Sequence, residues 1–129
     1  ALNAEAIPIY GDGKNIRDWL YVKDHCKGIM LALEQGNLGE TYNIGGHNER
    51  DNLYIAHKIC EILDEAKPKK KKDSYQSQIK FVSDRPGHDF RYAIDASKIE
   101  NELGWEADEN FESGIKKTID WYLDKYTNS

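Results

Sequence analysis

Apolar positions along this chain recur with two different spacings, and the switches between them predict its elements. Val22, Cys26, Ile29, Met30 and Leu33 stand at i, i+4, i+7, i+8 and i+11, one face of a helix that Gly36 is placed to end. Leu53, Ala56, Ile59, Cys60 and Leu63 repeat the helical spacing, with Asp51 or Asn52 suited to cap the N-terminus. A third stripe of Phe111, Ile115, Ile119, Tyr122 and Leu123 predicts a final helix over residues 111–126. Between the stripes lie short runs rich in branched and aromatic residues, at 16–22, 41–44, 79–83 and 91–94, which read as strands. Asp95 is suited to cap a short helix over 96–103, stopped by Gly104. Strands alternating with helices predict an α/β chain, and no internal repeat is visible.

Composition narrows this picture without redirecting it. A chain of 129 residues with 39% apolar and 32% charged positions is one domain's worth and can bury a real core. No apolar run approaches the ~20 residues of a membrane span. The start, Ala1-Leu2-Asn3-Ala4-Glu5-Ala6, has no basic segment followed by an apolar one, and it is not a methionine. The expectation is a chain without a signal peptide that is a processed product, a trimmed form or a fragment. A net charge of -5 argues against nucleic acid as partner, because phosphate backbones demand a basic surface. The one basic run, Lys67-Pro68-Lys69-Lys70-Lys71-Lys72, has no interleaved aromatics and reads as a solvated loop. Cys26 and Cys60 each fall on an apolar stripe, so buried reduced thiols and a cytoplasmic location are expected.

Two chemical signals fail on inspection. Gly11-Asp12-Gly13-Lys14 has the ending of a phosphate-binding loop, but the four-residue spacing is absent and Asn15 stands where Ser or Thr must hold magnesium. His57 and Cys60 could form half of a zinc site, yet no second pair with ligand spacing completes it, so no metal is expected. Other residues suit an anion. Guanidinium forks match a diphosphate with paired hydrogen bonds. Arg17 sits at a glycine-rich turn entering a strand, and Arg85 lies in the Pro-Gly loop Asp84-Arg85-Pro86-Gly87-His88. Asn52 stands at a predicted helix start, where free N–H groups and the dipole favour negative charge. Pattern alone leaves open the alternative that Arg17 and Arg85 merely pair with Asp18 and Asp84.

Longer blocks carry a resemblance. Pro8-Ile9-Tyr10-Gly11-Asp12-Gly13, Ile16-Arg17-Asp18-Trp19-Leu20-Tyr21-Val22, Tyr42-Asn43-Ile44-Gly45-Gly46-His47-Asn48-Glu49 and the Asp84–His88 loop occur in order. So do Leu103-Gly104-Trp105 and the segment from Phe111 to Tyr122. Together they resemble the dTDP-sugar dehydratases among the extended short-chain dehydrogenase/reductases. The resemblance implies an α/β C-terminal nucleotide-sugar-binding portion of such an enzyme, residues 1–129, without the N-terminal Rossmann core. It implies a nucleobase pocket at Pro8, Ile9 and Tyr10, and diphosphate ligands at Arg17, Asn52 and Arg85. It also implies a closing segment of Asp84, Arg85, Pro86, Gly87 and His88, with His88 as a further polar contact.

The parent reaction, by the same resemblance, turns dTDP-glucose into a 4-keto-6-deoxy sugar using NAD, in an enzyme acting as a homodimer. The glycine fingerprint, the Tyr-x-x-x-Lys pair and the catalytic carboxylates belong to the family's N-terminal portion, so no catalytic residue is expected here. Tyr54 and Lys58 have the pair's spacing but match no functional position of the family. The segment before Pro8 is a few residues shorter than the family's usual spacing. The strand at 42–45 would normally join the missing sheet, so the chain alone is expected to expose apolar surface and self-associate. A related nucleotide-sugar epimerase or decarboxylase, or a non-catalytic module binding a nucleotide anion, are the alternative readings.

Overall fold

The computed structural model describes residues 1–70 and 73–127, so Lys71 and Lys72 of the basic run lie outside the described residues. The elements in order are β1 (Ile7–Tyr10), β2 (Ile16–Asp18), α1 (Val22–Gln35), β3 (Glu49–Asp51) and α2 (Asn52–Ala66). A 3-10 turn at Tyr75–Gln78 then leads into β4 (Ile79–Val82), α3 (Ser97–Leu103) and α4 (Phe111–Thr127). β1 and β4 pair in parallel, Ile7 opposite Ile79 and Tyr10 opposite Val82. β2 and β3 pair antiparallel, Arg17 opposite Arg50, and a single parallel bridge joins Ile16 to Arg91.

Two apolar clusters hold these pieces. Cys60, Leu63, Tyr75 and Ile119 form one, with Ile7, Ile59, Ile79, Ile115 and Leu123 packed round it, so α2 and α4 close over the β1–β4 pair. Ala96, Ile99 and Trp105 form the other, with Leu20, Leu31, Tyr42 and Ile44 around them. One buried and one half-buried carboxylate stitch loops to this frame. Asp24 of α1 is 2% exposed and accepts the N–H groups of Asp108 and Glu109 at 3.0 and 3.1 Å. Asp18 likewise accepts the N–H groups of Gly46 and Asn48. A side chain at Gly45 would run into that carboxylate and into Ile94, so only glycine fits there.

The α2 stripe and Phe111, Ile115, Ile119 and Leu123 of α4 are buried or half-buried as their spacing implies, whereas Tyr122 is 47% exposed, and Asp51 caps α2 by accepting the Tyr54 N–H at 2.6 Å. Asp95 does not itself cap α3, whose cap position is Ala96, but from the residue before it accepts the Ser97 N–H; Gly104 ends α3 with φ 68°. The α1 stripe is a correction. Val22, Ile29, Met30 and Leu33 are 50% exposed or more, and Cys26 is exposed, whereas Cys60 is fully buried. The packed side of α1 is Asp24, Gly28 and Leu31. A two-residue offset from the apolar stripe turns roughly 200° round a helix, so the two sets face opposite ways. Gly28 explains the choice, because a Cβ there would press on Ile44 and the Trp105 indole.

Three expected strands are shortened or absent. Residues 16–22 pair as a strand only through Asp18, and Tyr21 already precedes α1. Residues 41–44 join no ladder among the described residues, and 91–94 contributes only the bridge at Arg91. A strand needs an adjacent edge, and neither of the last two segments finds a full one within the described chain. The three-residue β3 carries no alternating apolar pattern and went unpredicted.

His47 adopts φ 57°, and its Nε2 lies 3.0 Å from both Glu100 oxygens. The Glu100 hydrogen bond and charge raise the His47 pKa above its ordinary 6.5. The pair therefore contributes stability that is complete below pH 6.5 and is lost as pH rises through the higher folded value. An NMR titration of the His47 ring is expected to give a midpoint above 6.5 that drops in Glu100→Gln. A midpoint at or below 6.5 in the unaltered chain would refute the pairing.

Candidate functional site

Parallel pairing of β1 with β4 puts their C-terminal ends side by side, so the turn after Tyr10 and the loop after Val82 emerge together. Open α/β sheets place ligands at such carboxyl ends. The Gly11 N–H donates to the Val82 carbonyl, and a Cβ at Gly11, whose φ is 61°, would meet the Asp84 carboxylate at 3.1 Å. Glycine is what lets the two loops approach.

The loop itself is braced internally. Asp84 Oδ1 accepts the Arg85 N–H at 2.9 Å and lies 2.6 Å from His88 Nδ1. The His88 hydrogen bond holds the Asp84 carboxyl below its usual range. The His88 N–H donates to the Arg85 carbonyl, and Gly87 takes φ 72°, which closes the turn around Pro86. The His88 side chain is buried and meets the Tyr10 ring edge-on at 6.1 Å between centroids.

Arg17 lies across from this loop. Its Nη1 donates to the Ile16 carbonyl at 2.7 Å and its Nη2 to the Asp89 carbonyl at 3.0 Å. Its guanidinium carbon sits 4.5 Å from the centre of the Tyr92 ring. Asp18 does not pair with it, being committed to Gly46 and Asn48. The Arg85 side chain makes no hydrogen bond or ion pair of its own among the described residues, since Asp84 bonds its backbone and His88. The positive charges of Arg17 and Arg85 both favour the ionised form of the Tyr92 phenol. The Asp89 carboxylate beside the Tyr92 hydroxyl outweighs them and raises the phenol pKa.

Two sequence expectations change here. The α2 N-terminus offers little free N–H. Asn52 N–H donates to the Asn15 carbonyl, Leu53 N–H to the Gly13 carbonyl and Tyr54 N–H to Asp51. Only the Asn52 side chain remains for a ligand. Ile9 is 6% exposed and belongs to the core, because alternation along β1 turns Pro8 and Tyr10 outward and Ile9 inward. A nucleobase resting on this edge would meet Pro8 and Tyr10, not the Ile9 side chain.

Asn15 and Tyr92 escaped the sequence reading. Asn15 is 4% exposed and its Nδ2 donates to the same Asp89 carbonyl that Arg17 uses, tying the first turn to the loop. An Asn in a Gly-rich turn carries no signal that it will be buried. The rejected pairs stay apart from the site. Lys58 is engaged with Glu112 and Glu61, which raise its pKa, and Tyr54 packs on Phe111. His57 contacts Gln76 at the surface while Cys60 is sealed in the core, so the two share no ligand position.

Comparison with known proteins adds lineage to this geometry. The chain is 58% identical to the dTDP-glucose 4,6-dehydratase of Escherichia coli over 123 residues, which is 95% of this chain and 34% of that protein. It superposes with a TM-score of 0.84 and 38% identity on the dTDP-glucose 4,6-dehydratase of Streptomyces venezuelae solved with NAD and TYD (dTDP) bound, covering 98% of this chain and 36% of that one. A UDP-glucose 4-epimerase from Thermotoga maritima, with UDP-glucose, matches at TM-score 0.76 and 28% identity, covering 97% and 37%. The chain thus spans about a third of the length of the curated relatives it matches. No described helix is long and apolar enough to cross a membrane. The model of the GDP-mannose 4,6 dehydratase family matches residues 1–118, and the chain belongs to that family, as an α/β part of an extended short-chain dehydrogenase/reductase.

Proposed function

We propose that this chain is the nucleotide-sugar-binding C-terminal part of a dTDP-glucose 4,6-dehydratase, and that its own task is to hold the dTDP moiety. The observation that supports the reading is the Arg17 guanidinium held over the Tyr92 ring, with Arg85 in the braced Asp84–His88 loop that follows β4. Diphosphate oxygens would accept from the two guanidinium forks and from Asn52, with His88 and the braced loop from Asp84 through Pro86 and Gly87 closing beside them. Pro8 and Tyr10 would support the base. Identity of 58% to a dTDP-glucose dehydratase, against 28% to a UDP-glucose epimerase, favours dehydration over epimerisation.

Among the described residues no set fits NAD. The turn at Gly11 and Gly13 opens onto β2 rather than a helix, and the first N–H groups of α2 are already taken by Asn15, Gly13 and Asp51. The cofactor and the catalytic groups are assigned to the remainder of the parent. That remainder is also what we infer covers the exposed Val22, Ile29, Met30 and Leu33 stripe. Without it, self-association through this stripe is expected. A cytoplasmic location, supported by the unpaired Cys26 and Cys60, and a homodimeric parent complete the reading.

Calorimetric titration with dTDP tests the binding role. A dissociation constant on the order of 0.1–1 mM is expected for the chain alone, together with no 4-keto sugar formed from dTDP-glucose. Absence of heat up to about 10 mM ligand would remove the binding role. Keto product from the purified chain would show that catalytic groups lie within it.

A further inference from the structure

We infer that Tyr92 is the positioning residue of the diphosphate site, a platform that holds the Arg17 guanidinium flat and aims its free N–H donors outward. The inference rests on the dTDP-binding role proposed above and adds a residue that no motif marked.

Three observations support it. The Arg17 guanidinium carbon lies 4.5 Å from the ring centre, within stacking range of a cation over an aromatic face. The backbone fixes that approach. Tyr92 N–H donates to the Ile16 carbonyl at 3.0 Å and Ile16 N–H to the Phe90 carbonyl at 2.7 Å, so Tyr92 is tethered to the residue next to Arg17. Two edges of the guanidinium are also taken, by the carbonyls of Ile16 and Asp89. With one face on a ring and two of its five N–H donors bound, the group has little rotational freedom left. An arginine so held loses less entropy when an anion arrives than a mobile one would.

Charge explains why the platform is aromatic. Arg17 has no carboxylate partner among the described residues, and the electron-rich ring face steadies its charge without filling the anion's place, as a carboxylate would. Tyr92 is 51% exposed, so the ring borders solvent where a ligand enters.

The test is calorimetry on the 129-residue chain with dTDP and with thymidine, which lacks the diphosphate. Tyr92→Leu is expected to weaken dTDP binding roughly fivefold and leave thymidine binding unchanged. Tyr92→Phe, which keeps the ring face, is expected to stay within about twofold of the unaltered chain. In an Arg17→Ala background, Tyr92→Leu is expected to cost nothing more, because the platform then has nothing to hold. Should Tyr92→Leu not fold, Tyr92→Met removes the aromatic face while keeping bulk and reads the same effect. Unchanged dTDP affinity in Tyr92→Leu, an equal loss for thymidine, or an undiminished further loss in the Arg17→Ala background would each overturn the positioning role alone. Failure of the unaltered chain to bind dTDP would overturn the site and this inference with it.

Discussion

Replacing Asp24 with alanine is expected to lower unfolding stability by about 2–4 kcal/mol, measured by urea denaturation. The carboxylate is 2% exposed and is the acceptor for two consecutive N–H groups, those of Asp108 and Glu109. Alanine leaves both donors without a partner in a part-buried loop, and the desolvation cost of each then goes unanswered. The loop from Trp105 to Asn110 delivers α4 to its place over α2, so the loss spreads beyond one contact. Trp105 stays bonded through its indole to the Asp24 backbone carbonyl, which no side-chain change removes. Asp24→Asn keeps one acceptor oxygen and is expected to lose about half as much. A change below about 0.5 kcal/mol in the alanine variant would mean that the two N–H groups find water instead.

Arg17→Ala is expected to weaken dTDP binding roughly 10- to 100-fold and to leave thymidine binding unchanged, by calorimetry. Paired, charge-assisted hydrogen bonds to a diphosphate are worth roughly 1.5–3 kcal/mol, which converts to that range. Arg17→Lys is expected to recover little, because an ammonium has neither the planar fork nor a face to lie on Tyr92. Stability is expected to hold, since the Asp89 carbonyl keeps its bond from Asn15 Nδ2 and the loop stays attached. Rising ionic strength should narrow the gap between the unaltered chain and the variant, as screening weakens the exposed ion contact. Equal dTDP affinity in Arg17→Ala would remove the diphosphate role.

Much of the fold was legible because local chemistry decides local structure. Spacing alone marks α2 and α4, and Asp51, Asp95 and Gly104 mark helix ends through hydrogen bonds made within a few residues. The family blocks around Arg17 and Arg85 also stand in the sequence as written. Direction of burial was not legible. The α1 stripe reads as core, yet Gly28 and Asp24 turn the opposite side inward, since an apolar face is buried only where another layer meets it. The same holds for residues 41–44, which have strand composition and no adjacent edge to join.

For the candidate site, the sequence by itself determined which side chains could meet an anion: Arg17, Arg85 and Asn52. Tertiary structure alone decided what those groups do when they are not binding. It brought β1 beside β4 across the intervening α1 and α2, spent the α2 N–H groups on the carbonyls of Gly13 and Asn15, and turned Ile9 into the core. It also laid Arg17 on Tyr92. Hydrogen-bond capacity and side-chain faces are finite, and a linear pattern states what each residue can offer without stating which partner takes it first.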